Sequence, residues 1–312
     1  MHPTSTVPIA LDPKLAHSVH SAALDTTVHH VPTACLNCNT LVSDRFCGHC
    51  GQDAHHTHRL TLKDMPHDIL HSIWHVDKGI LYTLKCMVLR PGPTIQAYLA
   101  GKRVDHFRPL SLLFMVTGLY ALLHSVLHIE MVMPRDSNMP EAVYQMQKTS
   151  MTFMMKYLSW FYVASVPVWA LFARWFLRRS GYNYAECLII AAFIIAICNF
   201  FAVLFLPVLY WASGTPQYYT VSLWFVVPVV AYSTWAYSSV LAHTTLGLAR
   251  RLWCGFMAFA LGYVVTFLVF VITMYAANWS TFVAAMKQQK QQKQEMQKQA
   301  RGARPATPTR VR

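Results

Sequence analysis

Residues 187–211 read CLIIAAFIIAICNFFAVLFLPVLYW, a run of 25 residues without a charge. About twenty such residues in a helix cross the roughly 30 Å of hydrocarbon in a bilayer. A helix apolar on every face over that length belongs in a membrane or deep inside a large protein. Working outward, four more runs reach membrane length: Leu110–Ile129 and Tyr157–Leu177 before it, Tyr219–Leu241 and Leu252–Ala277 after it. The composition agrees. Charged residues make up 12% of the 312-residue chain, against roughly 25% in ordinary globular proteins, and apolar ones make up 54%. Tyr157, Trp160, Tyr210, Trp211 and Tyr219 stand at run ends, as amphipathic rings do at membrane interfaces. Pro167 and Pro228 interrupt two runs, which neighbouring helices can tolerate. The expected fold class is an all-α polytopic membrane protein with about five transmembrane helices bundled over residues 110–277.

Cations set the expected orientation. Lys102, Arg103 and Arg108 precede the first run, Arg174, Arg178 and Arg179 close the second, and Arg250 and Arg251 precede the fifth. Five crossings put all three groups on one side, and the positive-inside rule makes that side cytoplasmic. Residues 281–312 disagree. This basic tail holds eight Lys and Arg against Glu295 alone, and five crossings place it outside. Four or six crossings would return it to the cytoplasm.

The amino-terminal part is polar. Residues 1–33 contain no apolar run of signal length and are expected to be a disordered extension. Next come Cys35-Leu36-Asn37-Cys38 and, after eight residues, Cys47-Gly48-His49-Cys50-Gly51. Two Cys-x-x-Cys pairs offer the four thiolates that a tetrahedral Zn²⁺ takes. Residues 34–52 are therefore expected to form a small zinc ribbon holding one structural Zn²⁺ through Cys35, Cys38, Cys47 and Cys50. Twenty residues build little apolar core, so metal must supply the folding free energy. Asn39 and Gly51 follow the two pairs, where positive φ is expected. Thiols meant for metal belong in a reducing compartment, which agrees with the cation argument. The other four cysteines, Cys86, Cys187, Cys198 and Cys254, read as small buried hydrophobes.

Residues 61–108 read as amphipathic juxtamembrane helices. Met65, Ile69, Ile73, Val76, Ile80, Leu84 and Met87 mark one apolar stripe, and His67, His71 and His75 lie opposite. Arg90-Pro91-Gly92-Pro93 ends the first helix. A short helix is expected over Thr94–Ala100, with Gly101 past its end. Arg90, Lys102, Arg103 and Arg108 suit anionic headgroups.

Few groups offer chemistry. His124 and His128 stand one turn apart in the first run. Seven methionines follow: Met131, Met133, Met139, Met146, Met151, Met154 and Met155. Soft thioethers beside imidazoles suit Cu(I), while the plainer reading is an apolar outer loop over residues 130–156. Asn199, mid-run, is expected to bond across helices, and Glu186 to pair with Arg174 or Arg179. No zincin, P-loop, Gly-x-Ser-x-Gly or dinucleotide motif is present, and no acid lies inside a run. Enzymatic activity is not expected. Residues 34–60 hold two cations, Arg45 and Arg59, against two acids, Asp44 and Asp53, a poor footprint for nucleic acid.

Together, Cys35-x-x-Cys38, Phe46-Cys47-x-x-Cys50-Gly51-Gln52, Thr83-Leu84, Arg90-Pro91-Gly92, Tyr98-Leu99-x-Gly101-Lys102-Arg103 and Pro109 resemble a family of bacterial multi-pass membrane proteins catalogued as a domain of unknown function. The resemblance covers about residues 35–130. It implies a bacterial inner-membrane protein with a cytoplasmic ribbon and brings no activity. The first expectation is a non-enzymatic docking or regulatory membrane protein whose ribbon meets a cytoplasmic protein partner. The alternatives are a transporter or lipid-handling protein using the basic block, and a copper-responsive protein using His124 and His128.

Overall fold

The computed structural model describes residues 33–54, 79–130 and 139–280, with isolated tail positions as far as 294. Several expectations fall outside these residues: the extension over 1–32, the histidine stripe of 61–78, Met131 and Met133, and most of the basic tail. The chain divides into two compact units, Met1–His56 and Thr57–Arg312.

In the first unit, β1 (Thr33–Ala34) pairs antiparallel with β2 (Leu41–Val42), Thr33 opposite Val42 and Ala34 opposite Leu41. A second crossing of the chain brings Phe46 opposite Asp53. The apolar interior is Val42, Cys35 and Cys47, with Cys38, Cys50 and Ala54 partly buried around them.

The second unit is helical. It comprises α1 (Ile80–Leu89), α2 (Pro91–Leu99), α3 (Pro109–Val126), α4 (Glu141–Lys156), α5 (Leu158–Phe176), α6 (Tyr184–Ala212), α7 (Gln217–Val240) and α8 (Leu248–Ala277). The protein is an all-α polytopic membrane protein. Helices α3, α6, α7 and α8 are long and apolar enough to cross a bilayer. The fifth expected span, α5, has membrane length at 19 residues but is not among these four. It still packs lengthwise on α8: Phe161 meets Phe270 with ring centroids 6.0 Å apart, and Trp169 meets Phe259 at 5.1 Å. Gly262 permits this approach, since a Cβ there would lie 2.9 Å from the Trp169 ring.

Helix α6 is the hub, packed against α3, α5 and α7, and Ile189–Ile197 is buried without a break. Its first turn is closed by a capping box between Asn183 and Glu186, so Glu186 caps the helix. Asn199 donates to Ile195 O of its own helix at 2.9 Å, not across helices as expected; a carbonyl one turn back lies within easy reach. The outer faces of α7 and α8 carry Leu223, Trp224, Val227, Phe267, Leu268 and Ile272, all exposed. Apolar side chains facing outward in such numbers are what a lipid solvent selects.

Residues 141–156, expected as loop, form helix α4. Glu, Ala, Gln, Lys and Met are strong helix formers, and the methionines belong to that pattern. Met146 and Val143 are buried against Met274, Tyr275 and Phe282, with Met139 beside them.

Candidate metal centre

Each Cys-x-x-Cys pair sits on a tight turn that points its thiols inward. In the first, Asn39 N–H donates to Cys35 O at 2.9 Å and Cys35 N–H to Thr40 O at 2.9 Å. In the second, Gly51 N–H donates to Cys47 O at 2.8 Å and Cys47 N–H to Gln52 O at 2.9 Å. The turns are local copies of one another. Each needs a left-handed residue just after its second cysteine, and Asn39 (φ 62°) and Gly51 (φ 77°) supply it.

The turns bring four sulfurs together. Cys35 Sγ lies 3.5 Å from Cys50 Sγ, Cys38 Sγ lies 3.5 Å from Cys47 Sγ, and all four lie within 4.8 Å of one another. Zn–S bonds of about 2.3 Å at tetrahedral angles separate sulfurs by about 3.8 Å, so the set can hold such an ion. The spacing is too wide for disulfides, whose sulfurs stand about 2.05 Å apart, and all four thiols are free. Among the described residues this is the one place where three or more His, Cys, Asp or Glu ligand atoms converge.

The protein prepares the thiols unequally. The Thr40 hydroxyl, 3.3 Å from Cys38 Sγ, and the Thr40 backbone hold the Cys38 thiol down to about 6. Burial pushes the Cys50 thiol up to about 12. Thiolate is the ligating form, so Cys38 is the ready ligand, and a cation is what makes ionising Cys50 favourable. Four protein sulfurs close a tetrahedral shell and leave no position for water or substrate.

The other residues singled out in the sequence do not join this site. Arg90 is exposed between α1 and α2. Pro91 and Gly92, which carry the Arg-Pro-Gly motif, are buried. A Cβ on Gly92 would stand 2.4 Å from Ser239 O, so the glycine lets α2 touch the backbone of α7. Helix α2 starts at Pro91, three residues before the expected Thr94, with proline at its first position. Gly101, also buried, has φ 105° and closes α2: its N–H donates to Tyr98 O and Lys102 N–H to Ala97 O, a Schellman pair. Lys102 and Arg108 are exposed and Arg103 half-buried.

His124 and His128 meet different fates. His124 is buried beside Tyr120, ring centroids 5.9 Å apart, and its Nε2 has no hydrogen-bond partner among the described residues. His128 is exposed and left-handed (φ 49°) where α3 ends, so the helical spacing that would align the two rings stops before it.

Sequence reasoning missed the polar clasp at the end of the bundle. Gln96 Nε2 lies 2.9 Å from Val240 O and 3.1 Å from His243 Nδ1, and the Tyr182 ring stands edge-on to His243 at 5.7 Å. It gathers α2, the turn before α6 and the end of α7, elements whose flanks carry Lys102, Arg178, Arg179 and Arg250. Only the run of cations hinted that these segments share a side.

Residues 77–121 match a family model described as a protein of unknown function (DUF3667). No curated protein and no solved structure matches the chain. The matched block is similar to that family across α1, α2, the Gly101 turn and the first part of α3, and it leaves the four cysteines outside.

Proposed function

We propose that Cys35, Cys38, Cys47 and Cys50 hold one structural Zn²⁺, and that the chain is a non-enzymatic docking protein of the bacterial inner membrane. In this reading the amino terminus and ribbon are cytoplasmic, and the ribbon meets a cytoplasmic protein partner. The observation that carries the reading is the closed four-sulfur set within 4.8 Å. It favours zinc over copper through its tetrahedral thiolate geometry, and structure over catalysis through its lack of an open position. Around it, Leu36, Leu41 and Phe46 are exposed on a unit of some twenty residues, and Arg45 lies 5.2 Å over the Phe46 ring. Exposed apolar side chains that include an aromatic ring beside an arginine are the kind that anchor a protein interface. The cytoplasmic side is supported by the cations beside the Gln96–His243 clasp.

The test uses the full-length protein, purified without added metal. One equivalent of zinc per chain is expected, lost in Cys35→Ser and in Cys47→Ser. Full zinc in either variant would sink the ribbon reading. Leu41→Asp with Phe46→Ser should keep the zinc and abolish cross-linking to the partner in intact cells. Unchanged cross-linking would remove the docking role and leave a merely structural ribbon.

A further inference from the structure

The α1–α2 hairpin is too short to cross a membrane on either leg. Its helices have ten and nine residues and rise about 15 Å each. Yet α1 has the composition of a membrane helix. It reads ILYTLKCMVL, with Lys85 its one charge. Thr83, Leu84 and Met87 are buried. The exposed side carries Leu81, Tyr82 and Leu89, which are 79%, 51% and 61% exposed, with the exposed Lys85 between them as its one charge. A helix facing water on one side is polar there; one apolar on both sides has an apolar neighbour on both.

Depth is the first indication of that neighbour. The Tyr232 hydroxyl donates to Met87 O at 2.9 Å. Tyr232 stands eight residues inside α7 from its last residue, Val240, or about 12 Å along the axis. Met87 thus reaches about two turns inside a membrane-crossing helix, while Gly92, just past the turn, lies against Ser239 near the end of that helix.

The second indication is the backbone. Hydrocarbon offers no hydrogen bonds, so a turn at that depth must satisfy its own polar groups. A single residue, Arg90, separates the two helices. Cys86 O accepts from Arg90 N–H at 2.8 Å and from the Thr94 hydroxyl at 3.3 Å. Arg90 O accepts from Thr94 N–H at 3.1 Å and from the same hydroxyl at 2.7 Å. Met87 O is taken by Tyr232. A helix start ordinarily leaves four N–H groups over, but Pro91 and Pro93 have none.

The third is continuity. The Trp235 ring, 43% exposed, lies 5.8 Å from that of Tyr232, so the hairpin adjoins an outward apolar face of α7.

We propose that α1–α2 is a re-entrant hairpin that dips into one leaflet and returns without crossing. Leu81, Tyr82 and Leu89 rest against phospholipid acyl chains, and Lys85 and Arg90 reach anionic headgroups on their long stems. The leaflet is the one beside Lys102, because Gln96 of the same hairpin joins the clasp at that end.

The test is photo-cross-linking of the full chain in liposomes of phosphatidylethanolamine and phosphatidylglycerol. p-Benzoylphenylalanine replaces Leu81 or Leu89, and in a third variant Leu204, an exposed position of α6. After irradiation, Leu81 and Leu89 variants are expected to gain the mass of one phospholipid, as Leu204 does. Cross-links from 81 and 89 to the chain itself or to a second copy would overturn the proposal. So would no adduct at those positions while Leu204 labels. A chain that labels at none of the three loses the membrane placement itself, and the hairpin with it.

Discussion

The ribbon and the bundle obtain their order by opposite means. The ribbon buries one aliphatic side chain, Val42, beside its cysteines, and its two turns are fixed by the conformations of Asn39 and Gly51. Its larger apolar side chains, Leu36, Leu41 and Phe46, are exposed. The bundle buries nine consecutive residues of α6 and closes its contacts to the limit of atomic volume, at Gly92 against Ser239 and Gly262 against Trp169. In the first unit a bound ion is expected to substitute for a core. In the second, the absence of a side chain matters as much as the presence of one. The two should therefore fail independently and to different insults.

Removing metal is the harshest test. Structural zinc sites in small modules carry apparent binding free energies of about 10–16 kcal/mol, which there is folding free energy. Chelation of the full-length protein should unfold residues 33–54 and expose them to protease, while the helical circular dichroism of the bundle stays unchanged. Acid acts in the same direction, since protons compete with the ion for thiolate. A chelated ribbon as protease-resistant as the untreated one would erase the contrast.

The converse insult is Gly92→Val. Its Cβ would fall 2.4 Å from a backbone oxygen of α7, where neither helix can yield by moving a side chain. Overpacking of this kind costs about 3 kcal/mol. Thermal unfolding in detergent should show a clearly destabilised bundle, while zinc stays at one per chain. Loss of zinc in this variant would mean that the two units depend on each other.

The same contrast governs what could be read from residues alone. The knuckle turns were legible because everything they need is local: two cysteines, a spacing, and a residue that accepts positive φ. The spans were legible because lipid imposes composition on every face. What was not legible is contact at a distance. Gly92 read only as part of a helix-ending turn because nothing near it in the chain announces Ser239. Helix α4 was obscured differently: its methionines were weighed as soft ligands, although Met is also a good helix former, and Met146 serves as packing. His124 and His128 looked like neighbours by spacing, but the left-handed residue at the end of α3 parts them.

A smaller effect is expected from Tyr232→Phe. It removes the hydroxyl that satisfies Met87 O and leaves the ring in place. Hydrogen bonds between membrane helices contribute about 1 kcal/mol, and that is the loss expected in the stability of the bundle. A deficit several times larger would say that the carbonyl is stranded in hydrocarbon with no water to replace the tyrosine, and would strengthen the re-entrant placement of α1.

The smallest effect belongs to the ion pair of the ribbon. Arg45 Nε donates to Asp53 Oδ2 at 3.1 Å, and the Arg45 side chain is 60% exposed. Exposed pairs of this sort contribute about 0.2–1 kcal/mol and are screened by salt. The two residues are also held by backbone, since Ala54 N–H donates to Arg45 O at 2.9 Å and Phe46 pairs with Asp53. Asp53→Asn should therefore change zinc affinity by less than about fivefold at low salt and not measurably at high salt. A larger, salt-resistant loss would mean that side chains, and not the ion with two local turns, hold the ribbon together, and the opposition between the units would fail on the side where it is drawn most sharply.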